Sequence, residues 1–305
     1  MFEAIKARIR GINAINITPF REDGAIDEAA LGRNLDDLVA SGIEAIYPCG
    51  NTGEFYSLTL GEARRVTQLA VERVAGRAAV MAGIGYDTRT AAVLAESAAE
   101  AGADGLMLHQ PVHPFQSERG LLAYYREVAA STSLPIVLYV RHESVGAELL
   151  REATNISNII GVKYAVNHLP SFAAAVQAAE SDPVWICGTA ELWAPFFFAA
   201  GAVGYTSGLV NVEAQRSQAL LAALRAGDTA ESMRIWAELR PFELLRERER
   251  SGANVSVVKE AMAQLGRARA DVRPPIAPLT ERERQEIAAI LDRWGLTRGQ
   301  AEGSV

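Results

Sequence analysis

Lys163 is the side chain in this sequence best placed to do covalent chemistry. It closes the apolar run "NIIGVKYA" (158–165). A lysine carried into an apolar interior loses hydration, so its amine is deprotonated more easily and becomes a nucleophile. Such amines form Schiff bases with carbonyl substrates. Tyr139 ends the preceding run, "PIVLYV" (135–140), and a phenol beside such an amine can carry protons. A third signal is the stretch "CGNTGEFYSLT" from Cys49 to Thr59. Its two glycines, the Thr52 hydroxyl and the intervening N–H groups suit a carboxylate. Each signal has an ordinary reading as well: a solvated lysine, a core tyrosine, a plain turn.

Other motifs carry less. His109 and His113 are four residues apart, but Pro111 and Pro114 break the helix a metal pair at that spacing would need. No metal and no cofactor are expected. No phosphate-binding P-loop, zinc-protease helix or serine-hydrolase elbow is present.

These residues act together only if the fold brings them together. Eight short apolar runs recur: 12–20, 43–50, 78–85, 103–110, 135–140, 158–165, 184–188 and 202–208. Near-continuous hydrophobicity suits parallel strands covered on both faces. Helical patterns lie between them. One opens with Thr59 and Glu62 at capping-box spacing. The alternation predicts an α/β chain, a (β/α)8 TIM barrel over 1–210, with a helical C-terminal extension over 211–305 packed on it. An open doubly wound sheet is the competing fold, but no Gly-rich dinucleotide turn follows the first strand. The extension reads as three helices, a Pro-rich stop "RPPIAPLT" and a last amphipathic helix. Its charge run "RERER" (246–250) reads as a solvated helix face, and "TRGQAEGSV" (297–305) as a frayed end.

In such a barrel the site lies at the C-terminal strand ends. Candidates there include Asn51, Thr52, Gly53, His113, Tyr139, Arg141, His142, Lys163, Gly188 and Ser207. The net charge of −7 argues against a nucleic-acid partner. No apolar stretch is long enough for a membrane span, and "MFEAIKARIRG" lacks the sustained apolar core of a signal peptide, so none is expected. The two cysteines, Cys49 and Cys187, read as buried free thiols, and a cytoplasmic location is expected.

The residues resemble those of the dihydrodipicolinate synthase / N-acetylneuraminate lyase family. "GNTGEFYSLT" looks like its carboxylate-binding loop, "IVLYV" its strand-five tyrosine segment, and "IIGVKYA" its Schiff-base lysine segment. "RPPIAPLT" is similar to its C-terminal Pro-rich segment. The resemblance covers about residues 10–295 and implies a role for each position. Lys163 forms an imine with C2 of a 2-oxo acid. Thr52 and Gly53 hold its carboxylate, and Tyr139 serves as acid and base. Gly188 and Ser207 line the pocket. It also implies a homotetramer built as a dimer of dimers.

Three positions depart from the synthase branch. Asn51 stands for its loop threonine, His113 for its second tyrosine, and Ser144 near its arginine. The wording "TGEFYSL" and "LYVRH" looks closer to the branch that dehydrates 2-keto-3-deoxy sugar acids such as 5-dehydro-4-deoxyglucarate. On that reading Arg141 and His142 face the far end of the substrate, and decarboxylation follows where that end carries a carboxylate. The alternatives are an aldolase of the family, 4-hydroxy-tetrahydrodipicolinate synthase acting on pyruvate and aspartate semialdehyde, and a non-catalytic keto-acid-binding barrel.

Overall fold

The computed structural model describes residues 2–296. Eight parallel strands close into a barrel in sequence order. They are β1 (Ile12–Ala14), β2 (Ala45–Ile46), β3 (Ala79–Ile84), β4 (Gly105–Leu108), β5 (Ile136–Val140), β6 (Ile159–Tyr164), β7 (Val184–Cys187) and β8 (Gly204–Ser207). All eight fall inside the apolar runs. Those runs are apolar on both faces because the strands are buried on both, by barrel interior and by helices.

A short helix the apolar pattern does not announce, α1 (Glu3–Ile9), precedes the first strand. The crossover helices are α2 (Glu28–Ala40), α3 (Leu60–Val74), α4 (Thr88–Ala101), α5 (Glu118–Ala130), α6 (Ala147–Thr154), α7 (Leu169–Ala178) and α8 (Ala190–Ala199). The capping box at α3 forms as its spacing predicts, with Thr59 and Glu62 each satisfying the other's backbone N–H. The chain then runs through α9 (Ala214–Arg225), α10 (Thr229–Ser251), α11 (Asn254–Gln264) and α12 (Glu281–Arg293). Among the described residues no helix is long and apolar enough to cross a membrane.

Side chains alternate along each strand, and this parity decides what reaches the barrel interior. Ala45, Met81, Met107, Val137, Val184 and Ile186 point inward and pack as one cluster. Tyr139 belongs to that set, and Lys163 is its direct register partner on β6.

The charge run 246–250 is solvated at Arg248, Glu249 and Arg250, as its composition suggests, but not at Arg246. Ile235, Leu239 and Phe242 form the buried stripe of α10, and the next position on that stripe is Arg246, which is buried. The backbone leaves helical geometry at Arg248, and Glu249, Arg250 and Ser251 all have positive φ. Left-handed backbone at three successive non-glycine residues costs on the order of 1 kcal/mol each. It breaks the helix above the barrel mouth and turns Arg250 and Ser251 toward the pocket described next.

Candidate active site

A cavity of about 340 Å³ opens at the C-terminal ends of the strands. Lys163 lies at its base. The residue is 3% exposed, and its ammonium position sits 3.9 Å from the centre of the Tyr139 ring. Among the described residues no carboxylate pairs with it. Burial, then the nearby Arg141 cation, and also Arg246, hold its amine down to about 7, against an opposing effect of Cys187. Near neutrality a large share of this amine is therefore uncharged and nucleophilic.

The chain holds a second deeply buried lysine, Lys259, with a different environment. Lys259 forms an ion pair with Glu54 and donates to the Asp271 carbonyl at 2.8 Å. Its charge is compensated, which makes it structural. Glu54 also accepts from the Arg273 N–H at 3.0 Å, while the Arg273 guanidinium grips Glu62 and the Ser57 carbonyl. Glu54 thus ties the "GNTGE" loop to the C-terminal helices.

The loop itself is shaped by close approach. A Cβ at Gly50 would lie 2.5 Å from Ile15 Cγ2, and one at Gly53 would lie 2.9 Å from the Asn16 carbonyl oxygen. The left-handed positions are instead Cys49 and Glu54, which bracket the loop. Thr18 Oγ1 donates to the Gly53 carbonyl at 2.7 Å and fixes its orientation. Among the described residues neither the Thr52 nor the Gly53 N–H meets a backbone acceptor. Two free donors beside the Thr52 side chain fit a carboxylate.

Asn51 Nδ2 donates to the Tyr139 hydroxyl at 2.9 Å. An amide NH2 can only donate, so the phenol oxygen accepts and its own proton is free to point into the cavity. Burial pushes the phenol above its ordinary pKa, with Arg141 acting against that. The group stays a proton donor at neutral pH. Arg141 lies over the rings of Tyr56 and Tyr139, at 5.3 and 5.6 Å. Its backbone N–H donates to Gln110 Oε1 at 2.8 Å, which anchors the end of β5.

His109 supports this wall from behind. Its Nε2 lies 3.0 Å from the Cys49 carbonyl, and its Nδ1 lies 3.2 Å from the Tyr56 hydroxyl. A carbonyl only accepts, so Nε2 carries the proton and Nδ1 accepts from Tyr56. Burial holds this imidazole down to about 3. The ring stacks on Phe55 at 4.3 Å, neutral and held in place.

Of the residues expected at the site, the cavity is lined by Lys163, Tyr139, Thr52, Asn51, Arg141 and Gly188. Gly53 is not in the lining and packs against the Asn16 carbonyl. Three other expected residues lie elsewhere. Ser207 faces outward because Thr206 and Lys163 hold the inward parity on their strands, and its hydroxyl donates to buried Glu191. Thr206 and Gly208 line the cavity in its stead. His113 is exposed and its ring folds back on the backbone of Phe115. His142 is exposed and bonds to Ser144 Oγ at 2.9 Å. Both histidines sit in loops whose local hydrogen bonds hold them away from the cavity.

The cavity wall also includes residues that strand-end reasoning passes over, because they come from the C-terminal helices. They are Glu243, Arg246, Glu247, Arg250, Ser251 and Asn254. The helical period that places Arg246 on the buried stripe was the available signal.

A closed parallel barrel with a desolvated amine, a proton-bearing phenol and a carboxylate cradle at one rim defines an enzyme of the class I aldolase type, a lyase that works through a lysine Schiff base. The chain belongs to the Dihydrodipicolinate synthetase family, whose sequence profile matches residues 8–294. Among curated relatives it is 33% identical to a probable 5-dehydro-4-deoxyglucarate dehydratase of Rhizobium rhizogenes, across 95% of this chain and 97% of that one. It is 31% identical to a 4-hydroxy-tetrahydrodipicolinate synthase of Methanothrix thermoacetophila, across 93% and 96%. Among solved structures, a dihydrodipicolinate synthase from Bacillus clausii superposes with a TM-score of 0.94 at 43% identity, covering 96% of this chain and 100% of that one.

Proposed function

We propose that this chain is a Schiff-base lyase that dehydrates a 2-keto-3-deoxy sugar acid of the 5-dehydro-4-deoxyglucarate type. The observation that carries the lyase reading is the unpaired Lys163 amine at the cavity base, 3.9 Å from the Tyr139 ring. The Lys163 amine attacks C2 of the 2-oxo acid while Thr52 and the adjoining N–H groups hold the C1 carboxylate. Tyr139 gives its proton to the carbonyl oxygen, which leaves as water once a second proton reaches it. The resulting iminium draws electrons from C3, whose proton passes to the Tyr139 phenolate to give an enamine. The enamine pushes out the C4 hydroxyl, which takes that proton from Tyr139 and leaves as water. Hydrolysis of the imine then frees the product and the lysine.

The choice of dehydration rests on the activity named for relatives such as the Rhizobium rhizogenes protein, and on Asn51, His113 and Ser144 replacing the positions that mark the synthase branch. The second reading, condensation of pyruvate with aspartate semialdehyde, is favoured by the higher identity to the Bacillus clausii dihydrodipicolinate synthase. Incubation with each substrate set separates them. Turnover of 5-dehydro-4-deoxyglucarate supports the proposal, and turnover of the semialdehyde alone overturns it.

The enzyme assembles as a homotetramer, a dimer of dimers. Val112 and Phe115, the latter 84% exposed, give the loop after β4 an apolar surface suited to a subunit contact. The buried free thiols Cys49 and Cys187 agree with a cytoplasmic location.

A further inference from the structure

Arg246 is an unusual residue to find in this wall. It is 7% exposed and reaches the cavity from α10. Its Nε donates to Asn254 Oδ1 at 2.9 Å, and its Nη1 donates to Glu243 Oε1 at 2.6 Å. A second buried carboxylate, Glu191, lies 3.9 Å from the same Nη1. Three fixed partners on one side leave the guanidinium little rotational freedom. Among the described residues its remaining nitrogen, Nη2, meets no acceptor.

That nitrogen is aimed across Gly208, on the side where the Thr52 methyl also approaches, at 3.3 Å from a Cβ placed on Gly208. A Cβ at Gly208 would lie 2.6 Å from Nη2 and 3.2 Å from the guanidinium carbon. Only a glycine at this end of β8 leaves the group its present position. Keeping a pre-oriented, nearly desolvated guanidinium N–H with no acceptor is costly unless water or a ligand supplies one. Water in the open cavity can meet this N–H, but a ligand carboxylate accepts from it more strongly.

The C1 carboxylate already has the Thr52 and Gly53 N–H groups. We propose that Arg246 receives the second, distal carboxylate of the substrate, so that the site selects 2-oxo dicarboxylic acids over acids of the same length ending in a hydroxymethyl group. Glu243 and Asn254 position Arg246, and Gly208 gives it room. This rests on the Schiff-base reading above and deepens it, by naming the residue that reads the far end of the substrate.

The test compares three acids: pyruvate, a 2-keto-3-deoxy aldaric acid, and the 2-keto-3-deoxy aldonic acid of equal chain length. The readout is the concentration of each that gives half-maximal borohydride-trapped adduct, measured by intact mass on the full-length enzyme. Wild type is expected to trap the aldaric acid at lower concentration than the aldonic acid. Arg246→Gln should raise the half-saturating concentration of the aldaric acid by roughly 10- to 100-fold, the range of a charge-assisted hydrogen bond. Pyruvate and the aldonic acid should move less than about threefold, by the absence of that bond.

Arg246→Lys, which keeps a cation beside Glu243 but loses the Nη2 donor, should reproduce the same selective loss, and it decides the matter if Arg246→Gln fails to fold. An equal loss for all three acids would overturn the proposal, because Arg246 would then serve the C1 carboxylate or the lysine. No loss for the aldaric acid, or no preference for it in wild type, would also overturn it. No adduct in wild type with any acid is a separate result, which removes the Schiff-base reading itself.

Discussion

Removing the Arg141 guanidinium should make imine formation need a more alkaline solution. Burial is the main reason the Lys163 amine is held near 7, and Arg141 is the next. The two cations flank the Tyr139 ring at 5.6 and 3.9 Å from its centre, so they lie no more than about 9.5 Å apart. At an effective dielectric constant near 20, that separation is worth on the order of 2 kcal/mol, and solvent around the exposed Arg141 screens it to roughly 1 kcal/mol. One kcal/mol is about 0.7 of a pH unit. The sign follows from charge. Arg141 disfavours the ammonium, so Arg141→Gln restores it and raises the amine's pKa. The assay is the initial rate of borohydride trapping with saturating pyruvate from pH 6 to 9. The midpoint for Arg141→Gln should move alkaline by roughly 0.5–1 unit, with the plateau at high pH retained. Added salt should shrink the difference between the two proteins. A midpoint unchanged or moved toward acid would refute the electrostatic account of the lysine.

Three further outcomes follow from the same structure. Tyr139→Phe should lower kcat by roughly 10²–10⁴ and slow the trapping of pyruvate, while prolonged incubation still carries the adduct to completion because the amine is untouched; unchanged kcat and trapping rate would remove Tyr139 as the proton carrier. Lys259→Met should cost roughly 3–5 kcal/mol in urea unfolding, because it strands the Glu54 carboxylate beneath the loop; a neutral result would remove that brace. His109 is held down to about 3 when folded and titrates near 6.5 when unfolded, so the unfolded chain binds the extra proton between those values and stability falls as pH drops through that window. His109→Gln should flatten that fall, by roughly 3 kcal/mol at pH 4.5, measured as denaturant midpoints against pH.

The barrel was legible because its strands are covered on both faces, so each appears as an uninterrupted apolar run. Lys163 stood out for the same reason, as a cation ending such a run. Ser207 was misplaced by one residue. In a strand that slip exchanges inside for outside, and the parity set by Lys163 on β6 and Gly204 on β8 would have selected Thr206. His113 and His142 failed differently: a residue near a strand end reaches the cavity only if its loop turns inward, and these loops satisfy their histidines locally. Arg246 was hidden by composition. A dense charge run usually means solvent, yet position 246 continues the stripe of Ile235, Leu239 and Phe242. Gly252 signals a helix break, but the backbone already leaves the helix at Arg248, four residues earlier, where no glycine or proline announces the turn that brings Arg250 to the cavity.

The central claim is that Lys163 alone among the buried lysines is the nucleophile. Incubation with 5-dehydro-4-deoxyglucarate and borohydride, followed by peptide mass mapping, tests it directly. A reduced adduct confined to the peptide carrying Lys163, absent in Lys163→Met, is the predicted result. An adduct on Lys259, or none on any lysine, would contradict it.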